Sequence, residues 1–312
     1  MPRTPSPRSR TPIYRPSASA KSLQKRRKQI RTTQLKACLY IALVILGVGL
    51  IAKANSVMSA KRANTPTASE IAEAAAREST RLKTEKMSQT ISEILEQYKG
   101  MEISVAITDL KYGDSFTYGE QAAYAAASTT KLLSASTLLH EVEQGNQELD
   151  QNINGYTLGE LLQLLIEQSN NDAWQAIDSQ LSRPVVQSWA TSNGLQTFNV
   201  QSNIVSAQDI TLLLTKLYTE KLLNTEHTQL LLRYMKNANY TELIPAAVPN
   251  DINVYHKAGY LEDRIHDAAI IDNGAHPYAI SIFTKSNGLY DSSTEIKAIH
   301  EITQASLGAF TT

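Results

Sequence analysis

Between Ala37 and Ala52 the chain reads ACLYIALVILGVGLIA, sixteen residues without a charge, closed by Lys36 and Lys53. No other segment constrains the fold as strongly, because so apolar a run must enter a core or leave water for a bilayer. Sixteen residues fall short of the ~20 of a typical span, but both flanking lysines can snorkel and lengthen it. Eleven Lys and Arg precede the run. That bias holds the N-terminus in the cytoplasm and sends residue 53 onward outside. A buried core helix fits poorly behind a basic, Pro/Ser-rich tail. A cleaved signal peptide is the closer rival: Ala52-Lys53-Ala54 has the small-x-small form of a cleavage site, although the 36-residue leader is long. Cleavage would make the protein secreted. The segment 37–54 therefore reads as an uncleaved transmembrane signal anchor, a single pass of the cell membrane touching lipid through 37–52. Gly47 and Gly49 begin a dinucleotide-like spacing, which means nothing inside a span.

The formal net charge of zero hides a division. Met1 to Ala68 holds 14 Lys and Arg and no acid, whereas Ser69 to Thr312 holds 16 bases against 30 acids. An acidic exported part is no nucleic-acid platform. Residues 1–36, with few apolar side chains among Pro, Ser and Arg, read as a disordered basic cytoplasmic tail. Cys38, the only cysteine, lies at the cytoplasmic edge of the apolar run and is not placed like a lipoprotein cysteine. The exported part thus has neither disulfides nor thiolate metal sites. The six histidines lack zinc-protease spacing, and neither a metal nor a cofactor is expected.

Beyond the anchor, 55–85 reads as linker and stalk: Thr67 and Glu70 form a capping-box pair opening a helix that ends near Gly100. Its second half carries an apolar stripe (Met87, Ile91, Ile94, Leu95, Tyr98) that suits docking on the domain, 86–312. EISVAITDL alternates, KYGD turns it, and SFTY returns, which is a hairpin. Helical patterns follow at Ser128–Gln144, Thr157–Glu167 (capping box Thr157, Glu160), Asp172–Gln180, Pro184–Asn193, Ala207–Thr219 and Glu226–Met235. Strands are expected at Asn253–Lys257, His266–Asp272 and Tyr278–Lys285, and a last helix at Ser292–Leu307. Strands at both ends with helices between imply an α+β fold: an antiparallel sheet flanked by N- and C-terminal helices, beside a helical lobe.

Chemistry is first suggested by AAASTTKLL. Ser128 and Lys131, three apart, are neighbours on a helix, roughly 5–6 Å between Cβ atoms. A neutral lysine can take the proton of a serine hydroxyl and make it a nucleophile. Ser128 or Thr129 could equally cap a helix with Lys131 solvated, and the same spacing recurs at Ser22 and Lys25 in the tail. Two further clusters weigh against that reading: Ser169-Asn170-Asn171, 41 residues after Ser128, and Lys257-Ala258-Gly259, 88 residues after Ser169.

In this order the chain resembles the class A β-lactamase and penicillin-binding-protein superfamily, whose motifs are S-x-x-K, S-D-N and K-T-G. The resemblance covers roughly Lys86 to Thr312. It implies a serine hydrolase in which Ser128 is the nucleophile and Lys131 its base. Ser169 would pass a proton between Lys257 and the departing nitrogen, and Asn171 would bond Lys131 and the substrate amide. Ala258, Gly259 and Tyr260 would line the substrate, with the backbone N–H groups of Ser128 and Tyr260 as the oxyanion hole. The implied ligands are β-lactams or peptidoglycan stem peptides.

Two departures qualify what the resemblance implies. Family β-lactamases deacylate with a loop glutamate, but between Gln168 and Thr219 the only acids are Asp172, Asp178 and Asp209, and the loop Gly194–Val205 has none. Ala258 replaces the threonine that helps bind a substrate carboxylate, with Arg264 the nearest substitute; Asn170 for Asp reads as structural. The expected function is therefore a membrane-anchored serine hydrolase that acylates on Ser128 and releases β-lactams slowly. The rivals are a D,D-peptidase or esterase with little β-lactamase turnover, and an idle domain binding cell wall or a protein partner. His266-Asp267 hints at a triad, but no G-x-S-x-G elbow exists, so a backbone-bonded histidine is expected. Trp174 and Trp189 read as core.

Overall fold

The computed structural model describes residues 18–63, 67–286, 288 and 291–311. The chain divides near Glu73 into two units, each considered by itself.

The first unit is dominated by α1, Ala18–Ala63. The apolar run lies within it, and Leu39, Leu43, Ile45, Leu46 and Leu50 are all at least 60% exposed; by length and composition the helix can cross a membrane, a property that a signal sequence shares. The helix corrects two expectations. It occupies 18–36, read from the sequence as disordered, and 55–63, read as linker; residues 1–17 and 64–66 lie outside the described residues. The cause is local: Pro16 is the last proline before Pro66, and the Lys, Arg, Gln, Leu and Ala between them favour helix.

α2, Ala68–Gln97, opens as the capping box requires, Thr67 N–H donating to Glu70 Oε2 at 2.6 Å and Glu70 N–H to Thr67 Oγ1 at 3.2 Å. Only its second half buries side chains, Thr84, Met87, Ile91 and Ile94.

In the second unit β1 (Glu102–Asp109) and β2 (Ser115–Gly119) form the hairpin, β3 (Ala123–Ala125) leads to a turn, and α3 (Lys131–Glu143) follows. A small pair, β4 (Asn152–Ile153) and β5 (Tyr156–Thr157), precedes α4 (Leu158–Glu167). Next come α5 (Asn171–Leu181), α6 (Arg183–Ser192), β6 (Ile204–Ser206), α7 (Ala207–Tyr218) and α8 (Thr225–Lys236). A 3₁₀ turn at Ile244–Ala247 precedes β7 (Asn253–Leu261), β8 (Arg264–Asp272), β9 (Tyr278–Lys285) and α9 (Ser292–Phe310). The main sheet is antiparallel, in the order β2-β1-β9-β8-β7, so the first strands pair with the last.

Both faces of the sheet are covered. Ile103, Val105 and Ile107 of β1 pack with Met87 and Ile91 of α2 and with Ile299 and Ile302 of α9. The opposite face, including Ala268, Ile270 and Phe283, joins the leucine-rich interior of the helical lobe. The structure is the expected α+β architecture, with two shifts that bear on the site. α3 begins at Lys131 rather than Ser128, and β7 continues past Lys257 to Leu261. β7 is an edge strand, and its free edge lies against the turn that carries Ser128.

Candidate active site

Three chain segments converge at the start of α3. In the first, β3 pairs with β6, and Ala126 N–H donates to Asn203 O at 2.8 Å, fixing the approach to the turn. Ala127 then adopts φ 52°, a left-handed conformation costly for a residue with a Cβ, of the kind that persists where surroundings enforce it. Asn203 enforces it here: its Nδ2 donates to Ala127 O at 2.9 Å, and its Oδ1 accepts from Thr130 Oγ1 at 2.5 Å. Ser128 follows in a tight turn, with Lys131 N–H donating to Ser128 O at 3.2 Å.

The second segment is the α4–α5 junction. Asn170 caps α5, its side chain accepting from Ala173 N–H at 2.8 Å, which explains its tolerance in place of Asp. Ser169 takes φ 54°, and both its carbonyl and its hydroxyl meet Lys131. The third segment is β7, where Lys257 Nζ donates to Ser169 Oγ at 2.8 Å and to Ala258 O at 3.2 Å. Gly259 is required by proximity: a Cβ there would lie 2.9 Å from both Ala127 Cβ and Ser128 N.

Lys131 is the hub. Its Nζ lies 3.1 Å from Ser128 Oγ, 2.5 Å from Ser169 O, 3.3 Å from Ser169 Oγ and 2.7 Å from Asn171 Oδ1. A neutral amine has two N–H bonds and one lone pair. Ser169 O and Asn171 Oδ1 have no proton to give and take the two N–H bonds. The lone pair is then left for the hydroxyl of Ser128. Both Lys131 and Lys257 are fully buried. Burial pulls Lys131 down to about 8. Lys257 falls to about 7, first through burial and then through repulsion from Lys131, with Asp267 opposing. Burial alone accounts for Lys131, and the repulsion between the two ammoniums registers on Lys257.

The structure thus brings Ser128, Lys131, Ser169, Asn171, Lys257 and Gly259 together. Ala258 is at the site only through its backbone: its methyl is buried in the sheet cluster with Ile265 and Ile282, so it does not line the cleft as a side chain. Successive strand residues point to opposite faces, and Lys257 takes the cleft face. Tyr260 directs its hydroxyl to Glu242 at 2.8 Å, and its ring lies tilted at 37° against Tyr240 at 4.7 Å, so its side chain is engaged there rather than with Ser128. Arg264, the candidate carboxylate substitute, is held by Asp263 through Nε at 2.7 Å and Nη2 at 2.8 Å. His266 bonds the Ala125 carbonyl at 3.1 Å and stacks on Phe283, with burial pushing it down to about 4. Asp267 pairs with His256 instead.

Sequence reasoning missed Asn203, whose role depends on a strand pairing too short to recognise, and a cavity of about 470 Å³ beside the site. Asn171, Thr130, Trp174 and Asp178 contribute to its wall. Trp174 is therefore not simply core: its Nε1 donates to Ser134 Oγ at 2.9 Å, and its ring lies 5.1 Å from Lys131 Nζ. Among the described residues no cluster of His, Cys, Asp and Glu is arranged to hold a metal.

Residues 86–310 match the model of the β-lactamase enzyme family. Solved structures with the same fold include a variant of an ancestral class A β-lactamase, the last common ancestor of Gram-negative bacteria. It is 21% identical, with a TM-score of 0.66, covering 72% of this chain and 98% of that one. A serine-to-glycine variant of the TLA-1 extended-spectrum β-lactamase is 16% identical, with a TM-score of 0.68 and coverage of 72% and 99%. A leucine-to-glutamate mutant of PBP-A, an acyl-enzyme complex with penicillin G, is 20% identical, with a TM-score of 0.66 and coverage of 73% and 96%. No curated protein sequence matches the chain.

Proposed function

The chain belongs to the β-lactamase enzyme family, and from that membership and the site geometry we propose that it is a serine hydrolase forming an acyl-enzyme on Ser128. The observation that carries this reading is the position of Lys131 Nζ, 3.1 Å from Ser128 Oγ with its other partners limited to proton acceptors and Ser169. Ser128 Oγ attacks the carbonyl carbon as its proton passes to Lys131. The oxyanion forms against the N–H groups of Ser128 and Tyr260, preorganised by the close approach of Gly259. Collapse breaks the C–N bond, and the departing nitrogen takes the proton of Ser169 Oγ, which Lys257 replaces through its 2.8 Å bond.

The substrate class is β-lactams or peptidoglycan-type peptides. PBP-A, of the same fold, is an acyl-enzyme with penicillin G, which supports penicillins as acylating probes. Release of the acyl group is the weak half. Asp172 is exposed on the first turn of α5, and Asp178 lies seven residues beyond Asn171, about 10.5 Å along the helix, too far for a base at the acyl carbon. Asn199 Oδ1 accepts from Gln201 N–H and Ser202 N–H, at 3.0 and 3.1 Å, and is committed to its own loop. β-Lactam adducts therefore persist, whereas small esters, whose leaving group diffuses away, turn over faster.

The domain works outside the cell membrane, held by α1 as an uncleaved anchor with the basic N-terminus in the cytoplasm. The bare apolar side chains of α1 and the eleven preceding cations support this placement. External protease on intact cells should remove the domain and spare a tag at Met1; digestion of that tag would overturn the orientation. The enzymatic reading is tested by intact-mass measurement of the chain after penicillins and active esters. An adduct on Ser128 is expected, and no adduct with any probe overturns the reading.

A further inference from the structure

The cavity beside the nucleophile has an arrangement that the acylation chemistry does not use. It runs along α5 away from Lys131, bounded by α6 and the loop Phe198–Asn203. Its far end holds two opposite charges, Asp178 near the end of α5 and Arg183 at the start of α6; the guanidinium is near enough to favour the charged carboxylate, yet the two make no direct salt bridge. Each is held by neutral partners instead. Asp178 Oδ1 accepts from Ser134 Oγ at 2.8 Å, and Arg183 Nη1 donates to Gln201 Oε1 at 3.1 Å.

The single residue between the helices, Ser182, takes φ 63° and ψ 143°. That region is nearly confined to glycine, and a side chain there costs on the order of 1–3 kcal/mol. The strained junction turns the last turn of α5 and the first of α6 toward one space. Burial raises the Asp178 carboxyl above its ordinary range, so its charged form gains from a nearby cation. The walls between the charges and Asn171 include the apolar faces of Trp174, Val186 and Val200.

We propose that this cavity is a subsite for the acyl side of the substrate, taking a side chain that ends in a zwitterionic amino-acid group, its ammonium on Asp178 and its carboxylate on Arg183. Ser169 and Lys257, which serve the departing nitrogen, do not line the cavity, whereas Asn171 and Thr130 do. The cavity therefore lies on the retained side of the scissile bond. Asn171 and Asp178 are separated by about 10.5 Å of helix, which asks for a short methylene chain between the scissile carbonyl and the charged end. The apolar walls suit that stem. A ligand carrying both charges answers the carboxylate and the guanidinium at once, whereas one carrying a single charge answers only one of them and meets the other as a like charge.

The inference rests on acylation of Ser128, and its test separates the two. The full chain is mixed with penicillin N, which carries an α-aminoadipyl side chain, with its N-acetyl and side-chain-amidated derivatives, and with phenoxymethylpenicillin, and the second-order acylation rates are compared within each protein. Penicillin N should react at least ~10-fold faster than either capped derivative, the scale of one charge-assisted hydrogen bond. Asp178→Asn should bring penicillin N and its N-acetyl form to within about 2-fold, and Arg183→Gln should do the same for the amidated form. Ratios within one protein cancel general losses, and Arg183 is exposed, so its variant keeps the test available if Asp178→Asn fails to fold. If phenoxymethylpenicillin acylates Ser128 but penicillin N and its capped forms react alike, the subsite is wrong and the hydrolase reading stands. If no penicillin acylates Ser128, both fall.

Discussion

The wall of the cleft built by α3, the α4–α5 junction and β7 differs from the wall built by the Asn199–Asn203 loop in what its side chains are bonded to. On the first wall the amines and hydroxyls of Ser128, Lys131, Ser169 and Lys257 form a chain of hydrogen bonds whose members can take up or pass on a proton, with carbonyls and the Asn171 amide holding the two amines in place. On the second wall Asn199 bonds its own loop, and Asn203 bonds Ala127 O and Thr130. Amides orient and brace, but they take up no proton at neutral pH. On the proposed reading the first wall makes the acyl-enzyme, while the second braces the Ser128 turn and offers no base to a water, so the same loop would serve acylation geometry and contribute little to deacylation.

Changes to the first wall should have the largest effects. Ser128→Ala should abolish covalent labelling by penicillins, and persistence of an adduct at any site in the cleft would remove the premise of the comparison. Lys131→Ala should slow acylation by at least ~10²-fold, the usual scale of a positioned general base, with folding nearly retained. The second wall should announce itself in a burst: one equivalent of β-lactam opened quickly, then turnover slower by ~10²–10⁴-fold. Steady penicillin hydrolysis at ~10² s⁻¹ or more without a burst, fast on the general scale of enzymes, would mean that a carboxylate reaches the acyl carbon after all.

Gly259→Ala probes how closely the walls approach. The added methyl would fall 2.9 Å from Ser128 N, so either β7 or the nucleophile turn must move. A shift approaching 1 Å costs catalysis about 10²-fold, whereas an edge strand gives way with little loss of stability, so acylation should fall far more than Tm. Equal loss of both would mean that the approach serves packing rather than the oxyanion hole. Acidity is a gentler probe. With Lys131 pulled down to about 8, its neutral fraction falls roughly tenfold per pH unit below 7. Acylation by an uncharged active ester should decline in step between pH 7 and 5; a flat profile would assign the base elsewhere.

Much of the first wall was legible because each of its motifs sits at the end of an element with a strong pattern. The capping box Thr157/Glu160 opens α4, whose end delivers Ser169, and the alternation before Lys257 marks β7. The limits of legibility follow from tertiary contacts. β7 runs on through Gly259 because an edge strand against a serine turn needs a residue without a side chain, and sequence periodicity carries no sign of that neighbour. Ala127 and Ser169 hold positive φ although neither is Gly or Asn, so no local preference announced them. Ala258 entered the substrate-side set through its motif position, while strand alternation buries its methyl on the other face. α1 outran the expected anchor because composition had suggested disorder where helix propensity was high. Asp178 and Arg183 belong to successive helices whose meeting angle is set by Ser182, and a linear pattern does not encode that angle.

The smallest expected effect bears on what the first wall costs the fold. Lys257 is wholly buried, and its ammonium is penalised there by lost hydration and by Lys131. Its pKa is about 7 when folded against 10.5 for an ordinary lysine. Below pH 7 both folded and unfolded chains hold the proton, and the folded state carries the full penalty. Between about 7 and 10.5 the unfolded chain binds more protons, so stability rises with pH across that window. Lys257→Met keeps a long, adaptable side chain and has nothing to titrate, while Ser169 Oγ retains Lys131 Nζ at 3.3 Å. The variant should therefore lose acylation yet gain stability, by about 1 kcal/mol or more at pH 6, because an apolar replacement for a buried charge is often stabilising. The gain should shrink steadily as pH is raised from 7 to 9, read as the difference in denaturant midpoint between the two proteins. A gain independent of pH would mean that methionine merely packs better. A loss at pH 6 would mean that the bonds of Lys257 to Ser169 and Ala258 hold the walls together more strongly than its charge strains them.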